Sequence, residues 1–244
     1  MFSFQSKKIF LADILDGYYD IHCHLLPGVD DGCANREHCM RLLERLQGLG
    51  AKGMYLTPHI ISGAYDDHDE NDMRRVFGQM DYTGPLDIRL AAEYFVDDKF
   101  ISHIEGQPLT MGPANKHMLA EFSMNNYSIR SFDLLFEATV AGYDVILAHP
   151  ERYTFVNSNP KSKTINLVKQ HKLQLNLLSL SGFHGTNAKR CAEYFLDQGM
   201  YTYMGTDIHS NTYIDVMQRT KVSSKVFNAL KVLRENNAAL FVRP

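Results

Sequence analysis

The sequence predicts an α/β fold in which a mostly parallel sheet curls into a closed or nearly closed seven-stranded (β/α)7 barrel. Three observations lead there. Short apolar runs alternate with amphipathic segments along the whole chain, and right-handed crossovers turn that alternation into a parallel sheet. Seven such units fit within 244 residues, because single α/β barrels commonly run to ~250. Residues able to bind a metal stand at the ends of six of the seven strands, as expected where carboxyl ends share one face. A doubly wound open sheet is the alternative.

The first strand is YYDIH (18–22), short, aromatic-rich and followed by a Pro27-Gly28 turn. A helix comes next, because Cys39, Leu42, Leu43, Leu46 and Leu49 recur at spacings of three and four and Gly50 supplies a stop. Further strands are expected at GMYLT (53–57), DIRLAA (87–92), HMLAEF (117–122), DVILA (144–148), LQLNLL (173–178) and YTYMG (201–205). Helical spacing is clearest in FDLLFEATVAG (132–142), AKRCAEYFLDQG (188–199) and SSKVFNALKVLREN (223–236). Polar residues break the pattern between 86 and 106, and DDHDEND (66–72) reads as a loop entering a helix. Residues 18–244 are expected to form one domain, with 1–17 as an N-terminal extension. Its Phe2, Phe4, Ile9, Phe10, Leu11 and Leu15 suit an element packed on the barrel or on a partner better than a free tail.

Composition narrows the function classes. Hydrophobic residues at 45% and charged residues at 22% exclude a disordered or fibrous chain. A net charge of -3 argues against a general nucleic-acid binder, whose affinity rests on clustered Lys and Arg. Cys23, Cys33, Cys39 and Cys191 form no CxxC pair, which favours a reducing compartment over a disulfide scaffold. Asp13 and Asp16 interrupt the apolar start, so neither a signal peptide nor a membrane span is expected there. A cytoplasmic protein without direct membrane insertion is the expectation, and self-association is left open.

The candidate ligands are His22 and His24 after the first strand, His59 after the second, Glu93 after the third, Glu121 at the end of the fourth, His149 after the fifth, and Asp207 with His209 after the seventh. An isolated H-x-H is a weak signal. The two imidazoles of His22-Cys23-His24 are expected to point the same way through a bend just after His22, with Cys23 turned into the core. Nitrogen and carboxylate donors without thiolate suit Mn, Fe, Zn or Co better than a structural zinc site. So many donors exceed what one ion takes, so two or three ions are expected, with Glu93 bridging. Such a cluster makes hydroxide at neutral pH and clamps a displacement at phosphorus. Its excess positive charge would draw a phosphate dianion, and Arg152, just past His149, would grip two of its oxygens.

The motifs DIHCHLLPGVDDG (20–32), LTPHI (56–60), AAEYF (91–95), LAEFS (119–123), ILAHPERY (146–153) and GTDIH (205–209) resemble those of the PHP (polymerase and histidinol phosphatase) superfamily. More narrowly, they are similar to its bacterial manganese-dependent protein-tyrosine phosphatases of capsular and exopolysaccharide synthesis. The resemblance implies a distorted seven-stranded barrel of the PHP type with its metals at the carboxyl ends of the strands, manganese being the first choice of ion. It implies that His22, His24, Glu93 and Asp207 hold one ion, Glu93, Glu121 and His149 a second, and Asp31, His59 and His209 a third. Asp31 and Arg152 become the candidate catalytic residues, with Asp30 the alternative to Asp31. The chain departs from the family where a further arginine often follows D-x-H: here SNTYIDVMQR offers only Arg219.

The function implied is hydrolysis of phosphotyrosine on a protein partner, a membrane-anchored tyrosine kinase, by a metal-bound hydroxide. Cys23, Cys33 and Cys191 lack the Arg six residues later that a thiol phosphatase needs, and Cys39, which has Arg45 there, lies with it inside the expected helix and not in a phosphate-binding loop. Tyr65, Phe95, Tyr127 and Phe183 are candidates to pack on the substrate ring. The alternatives are a phosphatase of a small monoester such as histidinol phosphate, and a non-catalytic binding protein stabilised by its metals.

Overall fold

The computed structural model describes residues 8–65 and 68–242; Phe2 and Phe4 of the extension lie outside them. In chain order the elements begin with β1 (Lys8–Phe10), β2 (Tyr19–Asp20), α1 (Arg36–Gly48), β3 (Gly53–Leu56) and β4 (His59–Ile60). They continue through α2 (Glu70–Gln79), β5 (Asp87–Leu90), β6 (Glu93–Phe95), α3 (Phe100–Glu105) and β7 (His117–Glu121). Next come α4 (Ile129–Val140), β8 (Asp144–Ala148), α5 (Thr154–Asn157), α6 (Ile165–Val168) and β9 (Lys172–Asn176). The series closes with α7 (Thr186–Asp197), β10 (Tyr203–Gly205), α8 (Asn211–Arg219), β11 (Lys221–Ser223) and α9 (Ser224–Ala239).

The strand–helix alternation yields a mixed α/β fold whose central strands are all parallel, in sheets ordered β10-β9-β8-β7-β6-β4 and β2-β3-β5. Val145, Ile146, Leu147 and Ala148 of β8 are all buried, the signature of a parallel strand covered on both faces. Helices start where side chains satisfy their free N–H groups: the Asn35 side chain accepts from His38 N at the head of α1, and that of Ser128 from Ser131 N at the head of α4.

A regular seven-stranded ladder is not what forms. The second expected strand, 53–57, forms as β3, and the chain resumes as β4 beyond the expected bounds after Thr57-Pro58, where proline has no N–H to give the ladder. The third breaks into β5 and β6 at Ala91-Ala92, and the expectation that it stops at residue 92 is corrected: it resumes at Glu93. Both pieces keep parallel register, Gly53 opposite Asp87 and His59 opposite Glu93, so β3 and β5 stay with β2 while β4 and β6 join the larger sheet. Segment 22–24 lies between the two sheets. Cys23 bridges Ile208 in parallel, Asp207 N donates to His22 O at 2.8 Å, and Thr57 N donates to Cys23 O at 2.9 Å.

The sixth expected strand also ends early, at Asn176, where the chain turns into a 3-10 turn, Leu177–Ser181. Two short strands were not anticipated: β1 pairs antiparallel with β11, and three residues are too few for periodicity to reveal. After β1, the 3-10 turn Leu11–Leu15 buries Leu11, Ile14 and Leu15 completely, against α8 and α9. All four cysteines are free and buried. No helix among the described residues is long and apolar enough to cross a membrane.

Candidate metal centre

The structure brings all nine expected donors into one site at the carboxyl ends of the parallel strands. Their atoms form four overlapping groups: His24, Asp31, His59 and His209; His22, His24 and Glu93; His22, His149 and Asp207; and His59, Glu93 and Glu121. Within each group the donor atoms lie no more than 4.8 Å apart. The bend expected after His22 is not needed. Residues 22 to 24 run extended between neighbouring strands, so alternation puts both rings on one face and Cys23 on the other, where its Sγ donates to Tyr55 O at 3.3 Å. Burial pushes that thiol well above its ordinary pKa.

The His22 and His24 rings point their Nε2 atoms at one spot, 3.1 Å apart. Glu93 Oε2 faces them at 3.1 and 3.3 Å, and Asp207 Oδ1 at 3.4 and 3.3 Å. His24 Nδ1 contacts Asp30 Oδ2 at 2.7 Å and His22 Nδ1 contacts Gln174 Oε1 at 3.0 Å. Protons on both Nδ1 atoms leave the Nε2 lone pairs facing two carboxylates. Such an assembly of acceptors is repulsive unless a cation sits among them or the rings are protonated. Glu93 Oε2 and His59 Nδ1 come within 3.1 Å yet are buried without a hydrogen bond. These orphaned atoms and the N/O donor set fit a cluster of divalent ions.

The surrounding carboxylates shift the imidazoles' proton affinity. Burial and the neighbouring His24 oppose a proton on His59, but Glu93 and Glu121 outweigh them and push its pKa up to about 10. Burial likewise opposes charge on His22, and the Glu93 and Asp207 carboxylates still raise it. Burial works against ionised Glu93 too, and the His22 and His59 rings hold it well below the ordinary range.

Asp30 and Asp31 divide their work. Asp31 is half-exposed at the rim, its Oδ1 3.3 Å from His209 Nε2 and 3.7 Å from His59 Nε2. Asp30 is turned inward: besides His24 its Oδ2 accepts His59 N at 3.1 Å, and its Oδ1 accepts Gly32 N at 3.0 Å. It orients the His24 ring from behind and holds the backbone of His59, a role the motif did not disclose. The loop passes so close to His24 that a Cβ on Gly32 would lie 1.9 Å from His24 O.

At the opposite side His149 and Asp207 take left-handed backbone conformations, φ 31° and 52°, which is uncommon outside glycine and concentrates at functional sites. His149 Nε2 lies 2.9 Å from Glu93 Oε1. A 3-10 turn, Pro150–Arg152, then folds Arg152 back so that its Nη1 donates to Asp207 Oδ2 at 2.6 Å.

An open cleft of about 420 Å³ lies over this centre, lined by Asp31, His59, Glu121, Arg152, Asp207 and His209 and walled by Tyr65, Phe95, Phe122 and Tyr213. Tyr65 stacks on His59 with centroids 5.6 Å apart, and Tyr213 on His209 at 5.4 Å. Tyr65 and Phe95 are therefore where expected. Tyr127 and Phe183 are not: Tyr127 packs on Phe155 at 4.1 Å and Phe183 on Tyr213 at 5.2 Å, both outside the cleft lining. Tyr213 escaped the sequence reading because it lies on α8, a turn past His209, where no strand-end rule applies. Arg219 closes the same helix with its Nε on Asp215 O, leaving Arg152 as the one arginine lining the cleft among the described residues.

A parallel α/β scaffold with nine N/O donors and an arginine gathered at its carboxyl edge defines a protein built around a candidate metal centre. The profile of the capsular polysaccharide synthesis family CpsB/CapC matches residues 18–224, and the chain belongs to that family, the one its motifs pointed to. It is 26% identical over 202 residues to the putative tyrosine-protein phosphatase CapC of Staphylococcus aureus, covering 79% of this chain and 77% of that protein. It is 23% identical over 235 residues to the tyrosine-protein phosphatase YwqE of Bacillus subtilis, covering 92% and 91%. Its fold matches a chain from the crystal structures of YwqE from B. subtilis and CpsB from Streptococcus pneumoniae, described as metal-dependent tyrosine phosphatases. That match has a TM-score of 0.67 and 22% identity, over 89% of this chain and 94% of that one.

Proposed function

We propose that the protein is a metal-dependent protein-tyrosine phosphatase of capsular or exopolysaccharide synthesis. The observation that carries this reading is the gathering of nine imidazole and carboxylate donors under one cleft with Arg152 at its edge. His22, His24, Glu93 and Asp207 would hold one divalent ion, Glu93, Glu121 and His149 a second, and Asp31, His59 and His209 a third, manganese being the first choice. His24 lies near enough to Asp31, His59 and His209 to serve on either side of that division. Bound ions would supply positive charge toward a phosphoryl group and lower the pKa of a water.

The chain's own groups do the rest. Arg152, braced by Asp207, keeps further guanidinium N–H groups for two phosphate oxygens and balances the charge of the transition state. Tyr65 and Phe95 flank the aryl ring of the substrate. No cysteine lines the cleft among the described residues, so hydrolysis is direct, without a cysteinyl-phosphate. The broken sheets fit a distorted seven-stranded PHP barrel occupying 18–244, its seam at Cys23–Ile208, with 1–17 as an added segment. The protein partner would be a phosphotyrosyl tail of a membrane-anchored tyrosine kinase, met in the cytoplasm.

Side-by-side kinetics on a phosphotyrosyl peptide and on histidinol phosphate, with Mn added and then with chelator, test the proposal. Preference for the peptide and loss of activity in chelator are expected. Activity that survives metal removal, or a strong preference for the metabolite, refutes it.

A further inference from the structure

Of the seven expected strands, one, at 173–178, ends in no metal ligand, and that strand carries the inference. Along β9 the side chains of Gln174 and Asn176 share one face, are fully buried, and point at the centre from below. Gln174 Oε1 faces His22 Nδ1 at 3.0 Å and accepts His149 N at 3.3 Å, while its Nε2 donates to Leu175 O at 2.6 Å. The backbone N–H of His149 can only donate and the carbonyl of Leu175 can only accept, so the amide has one satisfactory orientation. His22 Nδ1 must then hold the proton and its Nε2 must present a lone pair to the centre.

Two residues on, Asn176 Nδ2 donates to Asp207 Oδ2 at 2.8 Å and its Oδ1 accepts Leu178 N at 2.9 Å, which again leaves one orientation. Asp207 Oδ2 thus receives both Asn176 and Arg152, and Oδ1 alone is turned toward His22 and His24. Asn176 is itself anchored, its N–H held at 2.9 Å by Glu151 Oε1, a buried carboxylate that also accepts from Ser179 and Tyr201.

We infer that Gln174 and Asn176 are positioning residues of the metal centre, Gln174 selecting the tautomer of His22 and Asn176 selecting the oxygen that Asp207 offers. Both are neutral amides, so they orient ligands without adding charge to a cage already rich in carboxylates. This rests on the proposed reading that the cage binds divalent ions, and groups behind the ligands of such sites typically govern affinity by ~10–100-fold.

The test is a Zn²⁺ titration of chelator-stripped protein against a competing indicator, for the parent, Gln174→Leu, Gln174→Glu and Asn176→Ala, with the melting temperature of each stripped protein recorded. Gln174→Leu removes the acceptor at similar volume and is expected to weaken the tightest site by ~10–100-fold. Gln174→Glu keeps an acceptor toward both His22 and His149 and, as the neutral acid with its hydroxyl toward Leu175 O, should recover part of that loss, which a merely structural role would not produce. Asn176→Ala should weaken zinc by about tenfold, and it decides the matter if Gln174→Leu does not fold. Affinities within twofold of the parent for Gln174→Leu or Asn176→Ala, or a Gln174→Glu as weak as Gln174→Leu, overturn the inference. A parent that binds no zinc sinks the metal reading beneath it.

Discussion

Replacing Arg152 by alanine isolates what the chain contributes to phosphate recognition. Nη1 is engaged by Asp207 Oδ2 at 2.6 Å, and the side chain, 24% exposed, borders the cleft. The remaining N–H groups are left for a phosphate in the cleft. A hydrogen bond to a charged group is worth ~1.5–3 kcal/mol, so losing two at the lower figure costs about 3 kcal/mol, or ~10²-fold in kcat/KM. Arg152→Lys keeps the charge without the planar fork and should fall between parent and Arg152→Ala. The assay is steady-state hydrolysis of a phosphotyrosyl peptide at saturating Mn, with the metal content of each protein measured in parallel. Asp207 keeps Asn176 as a partner in the variant, so metal content should hold. An Arg152→Ala enzyme within threefold of the parent at equal metal content refutes the role assigned to this arginine.

Three further outcomes follow from the same geometry. Tyr153 is fully buried, its hydroxyl donating to Ala148 O at 2.8 Å and accepting Phe122 N at 3.1 Å; Tyr153→Phe orphans that N–H and weakens the carbonyl's pairing, so urea unfolding should show a loss of about 2–4 kcal/mol, and a loss under about 0.5 kcal/mol contradicts it. A Cβ on Gly205 would lie 2.6 Å from His22 Cβ and 2.7 Å from Gln174 Nε2; Gly205→Ala should cost about 1–3 kcal/mol by overpacking and weaken Zn²⁺ binding, and parent-like values in both measurements contradict it. Burial lowers the pKa of His171 below its ordinary 6.5, so the unfolded chain takes up a proton first and stability falls as pH drops from about 6.5 toward the folded value. His171→Gln lacks that slope, and unfolding free energies of parent and variant that stay parallel from pH 7.5 to 5 contradict the sign.

The donors of the cage were legible because chemistry and position coincided: His, Asp and Glu at the ends of apolar runs are conspicuous in a parallel α/β pattern. Residues that aim those donors were not, since Gln174 and Asn176 sit inside a strand where an amide reads only as a break in hydrophobicity. Asp30 and Asp31 are adjacent and identical in type, and only their orientation separates the one behind His24 from the one beside His209. The parallel strand–helix alternation was legible, but the seven-strand count was not what formed, because splitting at Thr57-Pro58 and Ala91-Ala92 depends on how the ladder passes from one sheet to the other. Tyr127 and Phe183 follow strands as Tyr65 and Phe95 do, yet neighbouring aromatic rings claim them, a choice set by packing that spacing does not encode.

Phosphotyrosine hydrolysis is expected to depend on one cation cage formed by these nine side chains. The most direct test is to strip the protein with chelator, titrate Mn²⁺ back, and follow ions bound per chain together with hydrolysis of a phosphotyrosyl peptide. No turnover is expected from the stripped protein, with recovery in step with the binding of two or three ions. Undiminished turnover by the stripped protein, or full activity with less than one ion per chain, would contradict it.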